Sequence, residues 1–370
     1  MKMMLNLDEL NPIQKQAVEW AEGPLVVLAG PGSGKTKVLT LRAAKLIYDS
    51  PTQRFRVLGL TFTNKAATEM RNRIKELVIE GQQRICFATF HSFCTDILRQ
   101  HGSHVGLRPD FTILAEDIDK NGVLLDAIQQ LDSEGFDVDK NDVRLLPIIT
   151  NLLNNFADDG EVAQHLADQA IVSKVAALYR EYKKQLLESN KVDFSFLLFL
   201  TYRLLSTKAA VAKQIRAVYT HICVDEFQDT NFAQYELLKA IVGSQPKNLF
   251  VVADDDQIIY QWNGASPERL DALIEDFNMD VIQLPANYRC PPSVIDLANK
   301  LITNNLNRRP GKKPIEAVKK EEQLSAVKIH NFSTLDDELD WIASDIKARP
   351  SSEWGTCIIL VQGGTMYGGS

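Results

Sequence analysis

Two short stretches hold the residue types and spacings best suited to chemistry. In the first, VVLAGPGSGKT (Val26–Thr36), an apolar run feeds a glycine-rich loop that closes on a lysine and a threonine. Glycines at 30, 32 and 34 let successive backbone N–H groups curl around an anion. Lys35 adds charge toward the β- and γ-phosphates of a nucleotide, and the Thr36 hydroxyl suits a magnesium ion. A helix starting at this point contributes the positive end of its dipole. Ala29, Gly30, Pro31, Gly32, Ser33, Gly34, Lys35 and Thr36 are therefore the expected triphosphate cradle, with Ala29 standing where the general pattern has glycine.

The second stretch is HICVDEFQDT (His221–Thr230). Its apolar run delivers Asp225 and Glu226 to the C-terminal end of a strand, where ligands gather in parallel sheets. A DE pair in that position also fits a helix cap or a solvated turn. Beside a phosphate loop, Asp225 becomes the expected magnesium partner through water, and Glu226 a general base that polarises the attacking water.

Such groups need a frame, and the hydrophobic pattern supplies one. Leu25–Ala29, Val57–Thr61 and Ile85–Ala88 read as buried strands. Lys35–Tyr48 and Lys65–Glu80 read as helices, the second with Ala66, Met70, Ile74 and Leu77 on one face. This alternation predicts an α/β fold with a parallel sheet covered on both sides. Between residues 103 and 190 helical spacing takes over, as in Leu145, Ile149, Leu152, Phe156 and in Ile171, Val175, Leu178, Tyr182. Acidic residues there outnumber basic ones by about two to one, which reads as a solvated helical subdomain inserted into the α/β core. Strands resume at His221–Val224, Leu249–Ala253 and Val281–Leu284. The basic stretch NRRPGKKP (Asn307–Pro314) reads as a linker, followed by a strand at Val327–Asn331, a helix at Leu335–Ala348 and a strand at Thr356–Val361.

The bulk numbers narrow the partners. The chain has 370 residues, 45% hydrophobic and 24% charged, with a net charge of −7. That excludes coating nucleic acid by bulk attraction, so any nucleic-acid contact must use a local groove. Five scattered cysteines show no zinc spacing and read as reduced thiols. The longest apolar run, Phe194–Leu200, is too short to span a bilayer, so a soluble cytoplasmic chain with no membrane partner is expected.

Further motifs fall in a recognisable order: LNPIQKQAV, AGPGSGKT, TFTNKAA, TFHSFC, VDEFQDT, DDDQIIYQWNGA and NYR. Together they resemble the superfamily 1 DNA helicases of the UvrD/Rep/PcrA type, from about Leu10 to Arg289. The resemblance implies a RecA-like P-loop fold that couples ATP and magnesium to 3′-to-5′ movement on single-stranded or 3′-tailed duplex DNA. It implies that Gln14 reads the adenine edge, that Tyr288 stacks on the base, and that Lys37 lies beside the nucleotide. Gln257 is implied as the γ-phosphate sensor and Arg289 as an arginine finger, acting with Lys35 and Glu226 in catalysis. On the DNA side it implies stacking by Phe62 and Trp262, with Tyr260 lining the same pocket, and backbone contacts from Thr61, Thr63, Asn64 and His91. Three positions depart from the family pattern: Asn263 where relatives often have arginine, Lys37 where arginine is common, and Cys290 where a small hydroxyl residue is usual.

The expected organisation is a first motor lobe in two parts (1–102 and 191–290), the helical insertion (103–190), a partial second RecA-like lobe (291–362) and a flexible tail or cloning scar (363–370). A chain of this extent is expected to bind ATP and magnesium but to hydrolyse slowly and not unwind duplex alone, a protein partner or a further C-terminal region completing the ATP site. Two alternatives share these motifs: the motor of a helicase–nuclease, and an ATP-gated clamp on single-stranded DNA.

Overall fold

The computed structural model describes residues 7–78, 80–244, 248–259, 261, 264–305, 308–309, 311–320 and 327–360. The strands are β1 (Leu25–Ala29), β2 (Arg56–Thr61), β3 (Ile85–Thr89), β4 (Thr112–Leu114), β5 (Lys191–Asp193), β6 (Tyr219–Val224), β7 (Leu249–Ala253), β8 (Asp280–Leu284), β9 (Ala286–Asn287) and β10 (Glu316–Ala317). The helices that matter below begin with α1 (Pro12–Val18), α2 (Lys35–Asp49), α3 (Asn64–Leu77) and α4 (Phe90–His101). They continue with α5 (Asp117–Ser133), α6 (Leu146–Asn154), α7 (Val172–Glu188), α8 (Phe194–Thr207), α9 (Ala209–Val218), α10 (Phe232–Val242), α11 (Glu268–Phe277), α12 (Pro292–Ile302) and α13 (Leu335–Lys347).

Six strands form one sheet in the order β3-β2-β6-β7-β1-β8, with every pairing parallel. The central strands β1 and β7 are buried at every position, as a parallel sheet covered on both faces demands. Alternation along the strands sorts their side chains between two cores. Leu25, Val27, Val57, Phe87, Phe250 and Val252 pack with Val38, Leu39, Ala43 and Ile47 of α2 and with Met70 and Ile74 of α3. Val26, Leu28, Leu58, Leu60, Val224 and Val251 face the other way, toward Phe93 of α4, Leu197 of α8 and Leu237 of α10. Gly59 sits in β2 because the Phe87 ring lies across it; a Cβ there would stand 2.1 Å from Phe87 Cδ1.

Several expectations need correction. The stripe on α3 is Ala67, Met70 and Ile74, and the helix ends at Leu77, with Val78 extended and buried. Ala66 is one residue off that stripe. The 103–190 segment is not all helical: β4 pairs in parallel with β5, Thr112 opposite Lys191. Its core is also continuous with one face of the sheet, Leu124, Ile149, Leu178 and Tyr182 joining the cluster that contains Leu28 and Leu58. Helix α6 stops at Asn154, so Phe156 lies beyond it at φ 52° and stacks on Tyr202, ring centroids 4.3 Å apart.

The basic stretch expected as a linker is packed instead. Gln283 and Lys313 exchange two hydrogen bonds of 2.9 Å, Asn299 clamps Ile315 in the same two-way fashion, and β10 pairs with β9. Asn307 and Pro310 lie outside the described residues.

The described residues 327–360 belong to a second unit, separate from residues up to 320. Within it, α13 is capped by Thr334, and Trp341 packs on His330 with ring centroids 4.3 Å apart. The strands expected at 327–331 and 356–361 are absent among the described residues, Val361 lying outside them. Ile329 and Ile358, which the strand readings would have buried, stand about four-fifths exposed. No single helix among the described residues is long and apolar enough to cross a membrane. All five cysteines are unpaired.

Candidate nucleotide site and nucleic-acid shelf

The phosphate loop runs from the end of β1 to the start of α2, at the C-terminal edge of the sheet. Ser33 Oγ donates to the Gly30 carbonyl at 2.7 Å, tightening the loop from inside. Gly34 caps α2 with φ 85°, and Lys35 is the first helical residue. Gly32 is required twice over. Its φ is +69°, and a Cβ would stand 2.7 Å from Arg289 Cβ and 2.9 Å from Asn287 Nδ2.

That close approach comes from the NYR segment, which is bonded to the loop directly. Tyr288 N–H donates to the Gly32 carbonyl at 2.9 Å, and Asn287 Nδ2 donates to the Pro31 carbonyl. Asn287 Oδ1 accepts from the backbone N–H groups of Arg289 (2.9 Å) and Cys290 (2.7 Å). Asn287 is fully buried, whereas Tyr288 and Arg289 are exposed. Sequence reasoning quoted this motif but gave Asn287 no part, although it ties the segment to the loop.

Gln14 is 4% exposed and already engaged. Its Nε2 donates to the Ser33 carbonyl at 2.8 Å, and its Oε1 accepts from Asn11 N–H within the α1 capping box. One N–H and one lone pair remain for a base edge. Asn11 Nδ2 also donates to the Tyr288 hydroxyl at 2.8 Å, so Gln14 and Tyr288 are anchored from the same residue. Lys37 makes an exposed ion pair with Glu9 at 3.4 Å.

The acidic elements meet the loop from β6. Asp225 is 4% exposed, its N–H donates to the Leu60 carbonyl at 2.8 Å, and its Oδ1 has no hydrogen-bond partner. Burial, reinforced by the charge on Glu226, pushes its carboxyl up to about 7. A buried, unpartnered carboxylate oxygen of this kind fits a cation or its bound water. Glu226 adopts left-handed backbone angles (φ 49°, ψ 46°), which turn the chain sharply as it leaves β6. Its Oε2 is 2.9 Å from Lys35 Nζ. Asp229, one turn on, is pushed up to about 6 by burial and by Glu226.

Gln228 is a second residue that sequence reasoning passed over. Its Nε2 donates to Glu226 Oε2 at 2.8 Å and its Oε1 accepts from the buried Asp254 N–H at 2.9 Å. Asp254 opens the DDDQ segment, where Gln257 N–H donates to the Asp254 carbonyl and the Gln257 side chain is half-buried. Three bases of the packed basic stretch hold the three aspartates: Arg308 pairs with Asp256 at 3.1 Å, Arg309 with Asp255 at 3.6 Å, and Lys312 with Asp254 at 3.2 Å and Asp256 at 2.7 Å.

The residues expected to face DNA collect beside this edge. Thr61 of β2 pairs with Thr89 of β3, so the two following helices start side by side. Thr63 caps α3, Thr89 caps α4, and Ser92 Oγ donates to Asn64 Oδ1 at 3.4 Å across the gap. Thr63 and Asn64 are exposed, while Phe62 and His91 are half-buried. His91 sits edge-on to Phe194 at 5.2 Å, and burial pushes its imidazole down to about 4. Thr61 departs from expectation: at 1% exposure its hydroxyl is turned into the protein, because the last strand position points inward. Tyr260, Trp262 and Asn263 lie outside the described residues.

A parallel sheet carrying a glycine-rich loop before its first long helix, with paired carboxylates on a neighbouring strand end, defines a P-loop nucleotide-binding protein of the RecA-like α/β class. Residues 10–278 match the UvrD/REP helicase N-terminal domain, and residues 282–366 the UvrD-like helicase C-terminal domain. The chain therefore belongs to the UvrD/REP helicase family. It is 38% identical over 306 residues to the ATP-dependent DNA helicase PcrA of Staphylococcus aureus (strain Mu50), covering 82% of this chain and 41% of that protein. The PcrA of Staphylococcus epidermidis (strain ATCC 35984) is 38% identical over 303 residues, 81% of this chain and 41% of the relative. The chain thus spans about two fifths of the length of these relatives.

Proposed function

We propose that this chain is the nucleotide-binding part of an ATP-dependent DNA helicase or translocase moving 3′-to-5′ on single-stranded DNA. The observation that carries the reading is the convergence of Lys35, Asp225 and Glu226 on one phosphate loop. The backbone from Gly30 to Thr36 and the Lys35 ammonium bind the β- and γ-phosphates. Thr36 and Asp225 are the residues to hold magnesium, which when bound neutralises charge on the phosphate oxygens. Glu226 orients and deprotonates the attacking water. Gln257 monitors the γ-phosphate, and the exposed Arg289, carried by a segment bonded to the loop, neutralises charge developing there. Gln14, Lys37 and Tyr288 border the base. The lobe boundaries near residues 103, 190 and 290 belong to the same proposal.

The DNA side rests on two adjacent helix N-termini, α3 and α4, whose unsatisfied N–H groups favour phosphates. Thr63 and Asn64 offer polar contacts there, Phe62 offers a base-stacking face, and His91, neutral at pH 7, contributes a hydrogen bond rather than a charge. The test is ATP hydrolysis with and without single-stranded DNA, for the chain and for its Glu226→Gln variant. Hydrolysis stimulated by DNA and lost in Glu226→Gln, with ATP binding kept, is the expected result. A wild-type chain that binds no nucleotide would sink the reading.

A further inference from the structure

The hydrogen-bonded path from Lys35 does not stop at Glu226. Gln228 Nε2 donates to the same carboxylate oxygen, Oε2, that pairs with Lys35, at 2.8 Å. The other end of the Gln228 amide accepts from the Asp254 N–H at 2.9 Å. Gln228 is 5% exposed, so its amide has little solvent to exchange with, and its orientation is set by these two partners. Asp254 is itself fixed. It is 1% exposed, and its Oδ1 lies 3.2 Å from Lys312 Nζ, whose side chain is 3% exposed. The chain of contacts thus runs from the phosphate loop through Glu226 and Gln228 to the first residue of the DDDQ segment and on to the basic stretch.

Resting on the reading of Glu226 as the base, we infer that Gln228 is the positioning residue that aims the Glu226 carboxylate. Phosphate arriving at the loop competes for the Lys35 ammonium, and the ion pair at Oε2 opens. One of the two bonds that orient the carboxylate is then lost, and the Gln228 N–H is the one that stays. It holds Oε2 and leaves Oε1 to meet the water. Without it, a glutamate on a left-handed backbone turn has several rotamers open to it, and misplacement by about 1 Å costs on the order of a hundredfold in rate. Because the far end of the same amide is bonded to Asp254, movement of the DDDQ segment shifts Gln228 and with it the base. Both ends of the Gln228 amide are bonded to protein groups, Glu226 and the Asp254 backbone, so its contribution is orientation.

A structural role, in which Gln228 only satisfies the buried Asp254 N–H, makes a different prediction, and two variants of similar shape separate them. Gln228→Met removes both hydrogen bonds. Gln228→Glu keeps an acceptor for the Asp254 N–H but replaces the donor to Glu226 with a second carboxylate. Positioning predicts kcat for ATP in the order wild type, then Gln228→Met, then Gln228→Glu, with losses on the order of tenfold and a hundredfold. KM and the affinity for a fluorescent ADP analogue change less than threefold. A structural role predicts the reverse order for the two variants, Gln228→Glu being the rescued one, with Tm following kcat. Equal kcat in wild type and Gln228→Met, or rescue by Gln228→Glu, overturns the inference while leaving the assignment of Glu226 standing. Failure of the wild-type chain to bind the analogue overturns that assignment instead.

Discussion

Lys35 of the phosphate loop is ion-paired with Glu226 at 2.9 Å, so the group that should receive phosphate and the group that should activate water hold each other. Lys35 is about 10% exposed and Glu226 about 33%, so the pair is shielded on the lysine side and open on the other. Opposite charges so placed hold both side chains beside the phosphate loop. They also impose a competition. A triphosphate must displace the carboxylate from the ammonium before both can act.

Glu226→Gln removes that competitor and the base together. The expected outcome is nucleotide affinity equal to or a few-fold above wild type, with hydrolysis reduced by roughly 10²- to 10³-fold, within the range for loss of a general base. Titration with a fluorescent ATP analogue and a phosphate-release assay read the two separately. Loss of affinity in the variant would mean that Glu226 supports the loop rather than competing for it.

Asp225 makes the folded chain sensitive to pH. Its carboxyl is pushed up to about 7 from an ordinary 3.8, by burial first and by Glu226 second. The folded state therefore binds this proton more tightly than the unfolded state. The stability it contributes is complete below about pH 4 and is lost as pH rises through 7, by about 4 kcal/mol at most. Asp229, pushed up to about 6, adds to the trend in the same direction. In the absence of magnesium, Tm should fall between pH 5 and pH 8 in wild type and fall less in Asp225→Asn. Parallel curves for the two chains would refute this assignment of the pH dependence.

The phosphate loop and the DE pair were legible because each is a run of adjacent residues whose chemistry depends on local spacing. Gly30 to Thr36 need only a strand before them and a helix after. The parts that were hidden depend on residues far apart in sequence. Gln228 matters through Asp254, twenty-six residues away, and nothing local distinguishes it from a surface amide. Asn287 matters because the chain returns to Pro31. The stretch from Asn307 to Pro314 has the proline, glycine and basic content of a solvated linker, and groups distant in sequence, the aspartates at 254–256 and Gln283 among them, bind it down. At 327–331 and 356–361 the apolar pattern was that of a strand, but pairing partners cannot be read from a pattern.

Lys312 should be a stability residue for the first unit. Its side chain is 3% exposed and pairs with Asp254, whose side chain is 1% exposed, so replacing it takes the counter-charge from that buried carboxylate while Arg308 and Arg309 still pair with Asp256 and Asp255. Lys312→Met is expected to cost about 3–5 kcal/mol in urea unfolding, as for other broken buried pairs. The companion Asp254→Asn/Lys312→Met should recover part of that loss, since it removes both charges. Unfolding curves of wild type and Lys312→Met that superimpose would show that the contacts contribute no net stability.

The crossing of β2 and β3 offers a test of the core itself. Phe87 is 3% exposed, and its ring lies where a side chain on residue 59 would go, 2.1 Å from an added Cβ. The backbone of β2 is fixed by pairing on both sides, with β3 and β6, so it cannot yield to make room. Gly59→Ala should therefore destabilise by about 1–3 kcal/mol through overpacking, despite the better strand propensity of alanine. Phe87→Leu alone leaves a partly filled space and also destabilises. In the double variant the methyl group occupies space the smaller side chain vacates, so its loss of stability should be less than the sum of the two single losses by at least 0.5 kcal/mol. Strict additivity in a urea double-mutant cycle would show that the ring moves aside freely and that glycine at 59 is not required by it.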